Sequence, residues 1–298
     1  MFSHLNEEGR GRMVDIGGKK DTERYAKAHG YVFMSAKILK AVEKGEIKKG
    51  DVLAVAQIAG IMAAKRTPYE IPLCHPLMIT HADIKFRIIK EYPCIEIISE
   101  VKTTGKTGAE MEALNAVSTA ALTIYDMCKG LEKGIVIGDI SLLEKSGGKS
   151  GLWKPEFVKE GKIINIAVGS KKGEEKKPVE KCEIIENFGL KGDAHAGGSK
   201  KQVSIFAVES LKEVPENKMI EVMRGGYTEN LTIVGIPLYY LVPENVLRVG
   251  TVEIEIESVG KESFVNGGRP YIVSRKGIFG HVKKTGIAKV GDTIGVIN

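Results

Sequence analysis

The chain has 298 residues, 43% of them apolar and 28% charged, with a formal net charge of +6. This is the balance of a soluble globular protein and long for one ordinary domain, so two domains are expected. The charge is modest and diffuse: it suits a phosphorylated small molecule and, without a basic stripe, argues against nucleic acid. Cys74, Cys94, Cys128 and Cys182 form no CxxC pair and no disulfide-like framework, which favours a reducing compartment. No apolar run approaches membrane-spanning length, and MFSHLNEEGRGR at the start lacks the apolar core of a signal peptide, so a cytoplasmic protein is expected.

Residues 1–12 read as a loose arm, and Met13–Lys20 as a short apolar segment ending in glycines and lysines. Thr22–His29 reads as a turn or short helix carrying Arg24, and Tyr31–Met34 as a strand. Ser35 is placed to cap a helix running to Lys44, with Gly45 as its stop. After the turn Lys49-Gly50-Asp51, Asp51 caps a second helix through Lys65, DVLAVAQIAGIMAAK. That helix is apolar or small on every side and therefore belongs in a core or a subunit contact.

Arg66-Thr67-Pro68 and Ile71-Pro72-Leu73-Cys74-His75-Pro76 carry three prolines in nine residues, which predicts an extended, stiff loop. Only His81 lies near the Cys74-His75 pair, so no metal site is expected. Adjacent residues on an extended chain point opposite ways, which favours His75 as a phosphate or base contact over Cys74 as a nucleophile. Ile84–Ile89 and Cys94–Val101 alternate as strands about a turn at Glu91-Tyr92-Pro93.

The hairpin leads into Lys102–Lys129, KTTGKTGAEMEALNAVSTAALTIYDMCK, the densest stretch of the chain. A glycine-punctuated basic loop opens onto a helix from about Ala109 to Lys129. Leu114, Val117, Ala121, Ile124 and Cys128 give that helix one buried face. Backbone N–H groups and cations converge at its start, a favourable place for an anion. Glu110 and Glu112 lie in the first turn, and Asp126 and Lys129 share a face in the last. A core helix with solvated ends and a functional site fit this pattern equally well.

Ile135–Leu143 reads as a strand, followed by the Gly/Lys/Ser loop Glu144–Gly151, EKSGGKSG. Neither this loop nor Glu100–Thr107 has Walker A spacing, which excludes a P-loop fold but not phosphate contacts. Trp153 to Gly161 reads as a linker. Beyond it, short strands set off by turns predict an all-β domain, a small barrel: Lys162–Val168, Val179–Ile185, Lys201–Val208, Tyr227–Ile233, Thr251–Ser258, Arg269–Val273 and Thr293–Ile297. Its polar constellation is GLKGDAHAGG over Gly189–Gly198, where Asp193 and His195 would share one side of an extended chain. Cys182 and Ile184 would share a strand face, which marks Cys182 as a small core residue.

MVDIGGK, KGDVLAVAQIAGIMAAKRTP, IPLCHPL, KTTGKTGAEMEAL and ALTIYDMCK closely resemble the cyclic pyranopterin monophosphate synthase family, also called MoaC. The likeness runs from about Met13 to Gly151. GLKGDAHAGG, KQVSIFAVE, YTENLTI, LRVGTVEIE and GIFGHVKKTGIAKVGDTI resemble a MOSC domain. The resemblance implies a ferredoxin-like α+β sandwich over residues 1–152 and an all-β MOSC barrel over 162–298. It implies a phosphorus–oxygen lyase of molybdenum cofactor biosynthesis, converting the 3′,8-cyclo dihydro-GTP intermediate to cyclic pyranopterin monophosphate and pyrophosphate. The assembly implied is a dimer-based hexamer with sites at dimer contacts.

Carried over residue by residue, the resemblance assigns catalysis to Lys49, Asp126 and Lys129. Substrate contacts fall to Arg24, Lys65, Leu73, Cys74, His75, Glu110, Met111, Glu112 and Lys145. Fixed cations suit a triphosphate and a departing pyrophosphate. Crowded Lys49 and Lys129 would lower each other's pKa, while Asp126 opposes that shift and orients Lys129. The first half needs no cofactor, and the barrel has a pterin or the molybdenum cofactor as its candidate ligand, near Lys191, Asp193, His195, Lys201 and Asn230. One departure stands out: Val259–Arg269, VGKESFVNGGR, has Ser263 where many MOSC relatives have cysteine, so persulfide chemistry is not expected. The rival reading is a non-catalytic carrier of finished cofactor, with the first half as an oligomeric scaffold.

Overall fold

The computed structural model describes residues 8–171, 176–197, 200–214, 216–217, 229–260 and 277–297. The expected strand Arg269–Val273, Ser263 and most of the starting arm lie outside them. The chain divides into two compact units, 1–155 and 156–298.

The first unit begins with β1 (Thr22–Phe33), α1 (Ala36–Glu43) and α2 (Val52–Glu70). β2 (Ile79–Ile89), β3 (Cys94–Gly105), α3 (Glu110–Cys128) and β4 (Val136–Ser146) complete it. The sheet order β2-β3-β1-β4, antiparallel throughout, is that of the ferredoxin-like split βαβ unit. Ser35 caps α1 by accepting from the Ile38 N–H, and Asp51 caps α2 by accepting from Leu53 and Ala54, as their sequence positions predict.

Thr22–His29 is strand, not turn or helix. β1 is the central strand, paired along its whole length with β3 and over most of it with β4. Two ladders outweigh the weak local preferences of TERYAKAH. α2 also outruns its predicted end, continuing past Lys65 through Pro68 to Glu70. Pro68 withholds one N–H, but Thr67 donates to the Ala63 carbonyl and Ile71 N–H to that of Thr67. Asn115 of α3 donates to Ala63, Thr67 and Glu70, tying the last turns down. The stiff loop is therefore shorter than expected, starting after Glu70.

Small residues bring the helices close. Ala113, Ala116, Ala120 and Ala121 of α3 are fully buried, and a methyl group on Gly60 of α2 would meet the Ala116 carbonyl oxygen. The two helices run antiparallel: Lys49, just before α2, meets Asp126 late in α3, while Asn115 early in α3 meets Glu70. Val117, Ala121, Ile124 and Cys128 are buried as the helical spacing predicts. Val117 and Ile124 each contribute about 1.5–3 kcal/mol by burial. α2, apolar all round, leaves Val55, Ile58, Met62 and Tyr69 exposed.

The second unit is built of short strands. β5 (Lys159–Val168), β6 (Lys177–Pro178), β7 (Lys181–Ile185), β8 (Gly189–Leu190) and β9 (Val203–Ala207) come first. β10 (Leu231–Val234), β11 (Val246–Val249), β12 (Val252–Val259), β13 (Ile278–Lys284), β14 (Gly286–Lys289) and β15 (Thr293–Ile297) follow. The order β10-β9-β13-β12-β11-β15-β5 closes through a β5–β10 ladder into a seven-stranded barrel. Inward positions alternate, as in Val252, Ile254 and Ile256 of β12. β14, β7 and β8 form a separate small sheet. β11, β13 and β14 are not predicted by the sequence pattern: glycines and lysines dilute the alternation of β13 and β14, and β11 is only four residues long. Among the described residues no helix is long and apolar enough to cross a membrane.

Candidate active site

The residues assigned to one pocket in the first unit occupy two places, at opposite ends of α3. Asp126 lies sixteen positions after Glu110, a span of about 24 Å at ~1.5 Å per residue.

At the C-terminal end, the Lys49-Gly50 turn sets Lys49 against α3. Its Nζ donates to Asp126 Oδ2 at 2.9 Å and to the Asp126 carbonyl at 2.7 Å. Lys129 Nζ lies 2.7 Å from Asp126 Oδ1. Hydrogen bonds from Lys129 and then Lys49, reinforced by their charges, hold the Asp126 carboxyl at about 2. Asp126 in turn pushes the Lys129 pKa up. Mutual lowering of the two lysines is therefore overturned for Lys129, because the carboxylate stands between the cations. Asp126 holds one ammonium group at each of its two oxygens.

At the N-terminal end, β1 supplies Arg24, whose Nε donates to the Gly105 carbonyl at 3.3 Å. The first three residues of EKSGGKSG end β4, so the loop is shorter than expected; its Gly147 and Gly148 have positive φ, and a methyl group on Gly148 would overlap the Arg24 guanidinium, so bare backbone seats that side chain. Lys145 of β4 lies 3.5 Å from Glu110 Oε1 and donates to Ser150 Oγ at 2.6 Å. Ser150 was missed as a contact, although its loop stood out in the sequence. Glu112, two residues on from Glu110, is 2% exposed. Burial pushes its carboxyl up to about 7; a hydrogen bond from its own backbone N–H opposes the shift, and the charge of Glu110 adds to it. The Cys74 thiol is raised by burial first and by the Glu112 carboxyl second. Leu73 and His75 flank Cys74 on the proline loop, and Met111 lies between the two glutamates, 38% exposed. Lys65 is exposed on the half of α2 that lies beside the start of α3.

In the barrel, Asp193 is a hub. Its Oδ2 accepts from Gly169 N–H at 3.1 Å and Asn230 Nδ2 at 2.9 Å, and lies 3.1 Å from Lys176 Nζ. Its Oδ1 accepts from the His195 N–H at 2.9 Å and lies 3.3 Å from His195 Nδ1. Burial opposes the Asp193 charge, but the Gly169 and His195 N–H groups and Lys176 outweigh it and hold the carboxyl low. Burial lowers Lys176, with Asp193 and Glu229 pulling the other way. Asp193 and His195 meet in a turn, not on an extended strand. Lys191 and Lys201 do not join them: Lys191 pairs with Glu183 at 2.7 Å, and Lys201 sits over the Phe279 ring. Lys176 was missed, because nothing in the run GEEKKP distinguishes one lysine. Cys182 is buried beside Ile184, with its thiol pushed up by burial. Among the described residues no His, Cys, Asp and Glu group could hold a metal ion.

The MoaC family matches residues 13–148. A cyclic pyranopterin monophosphate synthase from Thermoanaerobacter sp. (strain X514) is 57% identical over 155 residues, covering 52% of this chain and 98% of that protein. The chain belongs to the MoaC family. A synthase of the same name from Desulfitobacterium hafniense is 58% identical over 159 residues, covering 53% of the chain and 94% of the relative. The barrel lies beyond the MoaC match. Solved structures covering about as much of the chain include the YUAD protein from Bacillus subtilis, with TM-score 0.35 and 17% identity over 45% of this chain and 94% of that one. YiiM from Geobacillus stearothermophilus has TM-score 0.33 and 16% identity over 46% of this chain and 75% of that one. These likenesses are too slight to carry an argument. The assigned residues from Arg24 to Lys145 fall inside the MoaC span, and Ser150 lies just beyond it.

Proposed function

We propose that the first unit is a cyclic pyranopterin monophosphate synthase, a lyase of molybdenum cofactor biosynthesis acting on the cyclic dihydro-GTP intermediate. The observation that carries it is the near-complete match to synthases of that name, with every assigned cation and carboxylate present. Arg24, Lys65 and Lys145 bring positive charge for a triphosphate to one end of α3. Lys49 and Lys129 offer ammonium protons and charge for a departing pyrophosphate at the other. Incubating the full chain with the intermediate and assaying pyrophosphate and cyclic pterin together tests this; neither product forming would overturn it.

The two clusters are too far apart for one small substrate to touch both on one chain. We infer that a working site takes the Lys49 end from one copy and the Arg24 end from another, in a dimer-based hexamer. The apolar face left exposed on α2, Val55, Ile58, Met62 and Tyr69, supports such assembly. Four free cysteines support a cytoplasmic setting.

For the barrel we propose a MOSC module that binds a pterin or the molybdenum cofactor without carrying sulfur. A thiolate ligand does not fit Cys182, which is buried and held protonated; the half-exposed His195 imidazole, steadied by Asp193, fits an anionic group. Mass spectrometry after incubation with a cysteine desulfurase should find no sulfur adduct, and a stoichiometric adduct on Cys182 would overturn the assignment.

A further inference from the structure

The four strands of the first sheet, β2-β3-β1-β4, bring polar side chains together in one row. His29 of β1 stands opposite Ser141 of β4, and Glu96 of β3 stands opposite both Tyr31 of β1 and Arg87 of β2. Residues opposed in an antiparallel ladder share a face, as do residues two apart on a strand. His29 Nε2 is 3.1 Å from Ser141 Oγ, and His29 Nδ1 is 3.0 Å from Glu96 Oε1. The Tyr31 hydroxyl donates to the same oxygen at 3.0 Å, and Arg87 Nε lies 2.8 Å from Oε2. Burial opposes the Glu96 charge, but the His29 hydrogen bond, the Arg87 charge and the Tyr31 hydroxyl outweigh it and hold the carboxyl low. An ionised carboxylate only accepts, so Nδ1 carries a proton and, in the neutral ring, Nε2 accepts from the Ser141 hydroxyl. His29, Glu96 and Tyr31 are buried, whereas Ser141 is exposed on the strand that ends the sheet.

We propose that Ser141, His29 and Glu96 form a serine-hydrolase relay, outside both clusters at the ends of α3, that acts on small carboxylic esters reaching β4 from solvent. Ser141 Oγ attacks the ester carbonyl carbon while its proton passes to His29 Nε2, and Glu96 steadies the imidazolium. The carbon–oxygen bond to the leaving alcohol then breaks, and the alcohol takes the proton from Nε2. Water next attacks the acyl-serine: one water proton passes to Nε2, the bond to Oγ breaks, and Oγ takes the proton back. Acid and alcohol are released, and nothing is oxidised or reduced. The ladder between β1 and β4 passes over Asp139, at positive φ, and Ile140, just before Ser141. A bulge takes backbone N–H groups out of the ladder, and at this position they lie beside the nucleophile, where the developing oxyanion needs donors.

The test uses the full chain and does not depend on the lyase reading. A fluorophosphonate, which loses fluoride to an activated serine and ignores ordinary ones, should label Ser141 stoichiometrically, with the position read by peptide mass spectrometry. The same protein should hydrolyse p-nitrophenyl acetate. Ser141→Ala should abolish the label and lower the hydrolysis rate on the order of a hundredfold. Its side chain is exposed, so that variant should keep the parent's thermal midpoint. His29→Asn, with folding checked by circular dichroism, should leave Ser141 unlabelled. An unlabelled Ser141 in the unsubstituted chain, parent-like hydrolysis by Ser141→Ala, or a label that persists in folded His29→Asn overturns the proposal. The first two measurements decide it even where His29→Asn does not fold.

Discussion

Lys49 and Lys129 are bound to the two oxygens of a single carboxylate, Asp126, at 2.9 and 2.7 Å. Lys49 reaches it from the turn before α2, and Lys129 from the next turn of the same helix. Asp126 stays ionised down to about pH 2, so both ammonium groups are held in place throughout the neutral range. All three side chains are about half exposed, where ion pairs add little to stability.

Lys49→Ala and Lys129→Ala should each lower product formation by about 10²- to 10⁴-fold and leave the thermal midpoint unchanged. Rates are read as pyrophosphate release, folding by circular dichroism. Parent-like turnover in both variants would remove these lysines from the reaction.

The shared site has its own test. Arg24→Ala should chiefly weaken substrate binding, and Lys49→Ala should stop turnover. Co-expressing the two variants should restore activity, because a mixed oligomer contains sites with Arg24 from one copy and Lys49 from the other. Mixed oligomers as inactive as either parent would mean that each chain completes its site alone.

Glu112 links stability to pH. Its folded pKa, about 7, lies above the ordinary value, so the folded state binds the proton more tightly than the unfolded chain. Its favourable contribution is fully present below the unfolded pKa and is lost as pH rises from there through 7. The full difference corresponds to roughly 3 kcal/mol. Glu112→Gln should be more stable than the parent above pH 7, with the advantage shrinking towards pH 5. Equal unfolding curves at pH 8 would contradict the buried, unpaired carboxyl.

Asp193→Ala should destabilise the barrel by about 3 kcal/mol or more, because Lys176 is left buried without its partner. Replacing Lys176 by Met in the same chain should recover part of the loss. Hydrogen exchange of β9 and β10 reads the effect locally. Unchanged protection in the single variant would show that Asp193 is no structural hub.

Local pattern in the chain was enough for the features that depend on near neighbours. Three- and four-residue spacing marks the buried face of α3, Ser35 and Asp51 mark their helix starts, and alternation places Cys182 on the inner side of β7. The residue types of both clusters were also legible, because the MoaC blocks are long and specific. Tertiary structure alone decided the rest. β1 is a strand because β3 and β4 supply ladders from both sides, α2 passes Pro68 because Asn115 of α3 holds its last turns, and Asp193 is fixed by Gly169, Lys176 and Asn230 from other parts of the chain. The assigned residues form two clusters because the length of α3 lies between them, and Glu112 differs from Glu110 through burial, not through sequence. Hydrogen-bond partners and desolvation come from segments distant in the chain, and periodicity reports only on residues a few positions apart.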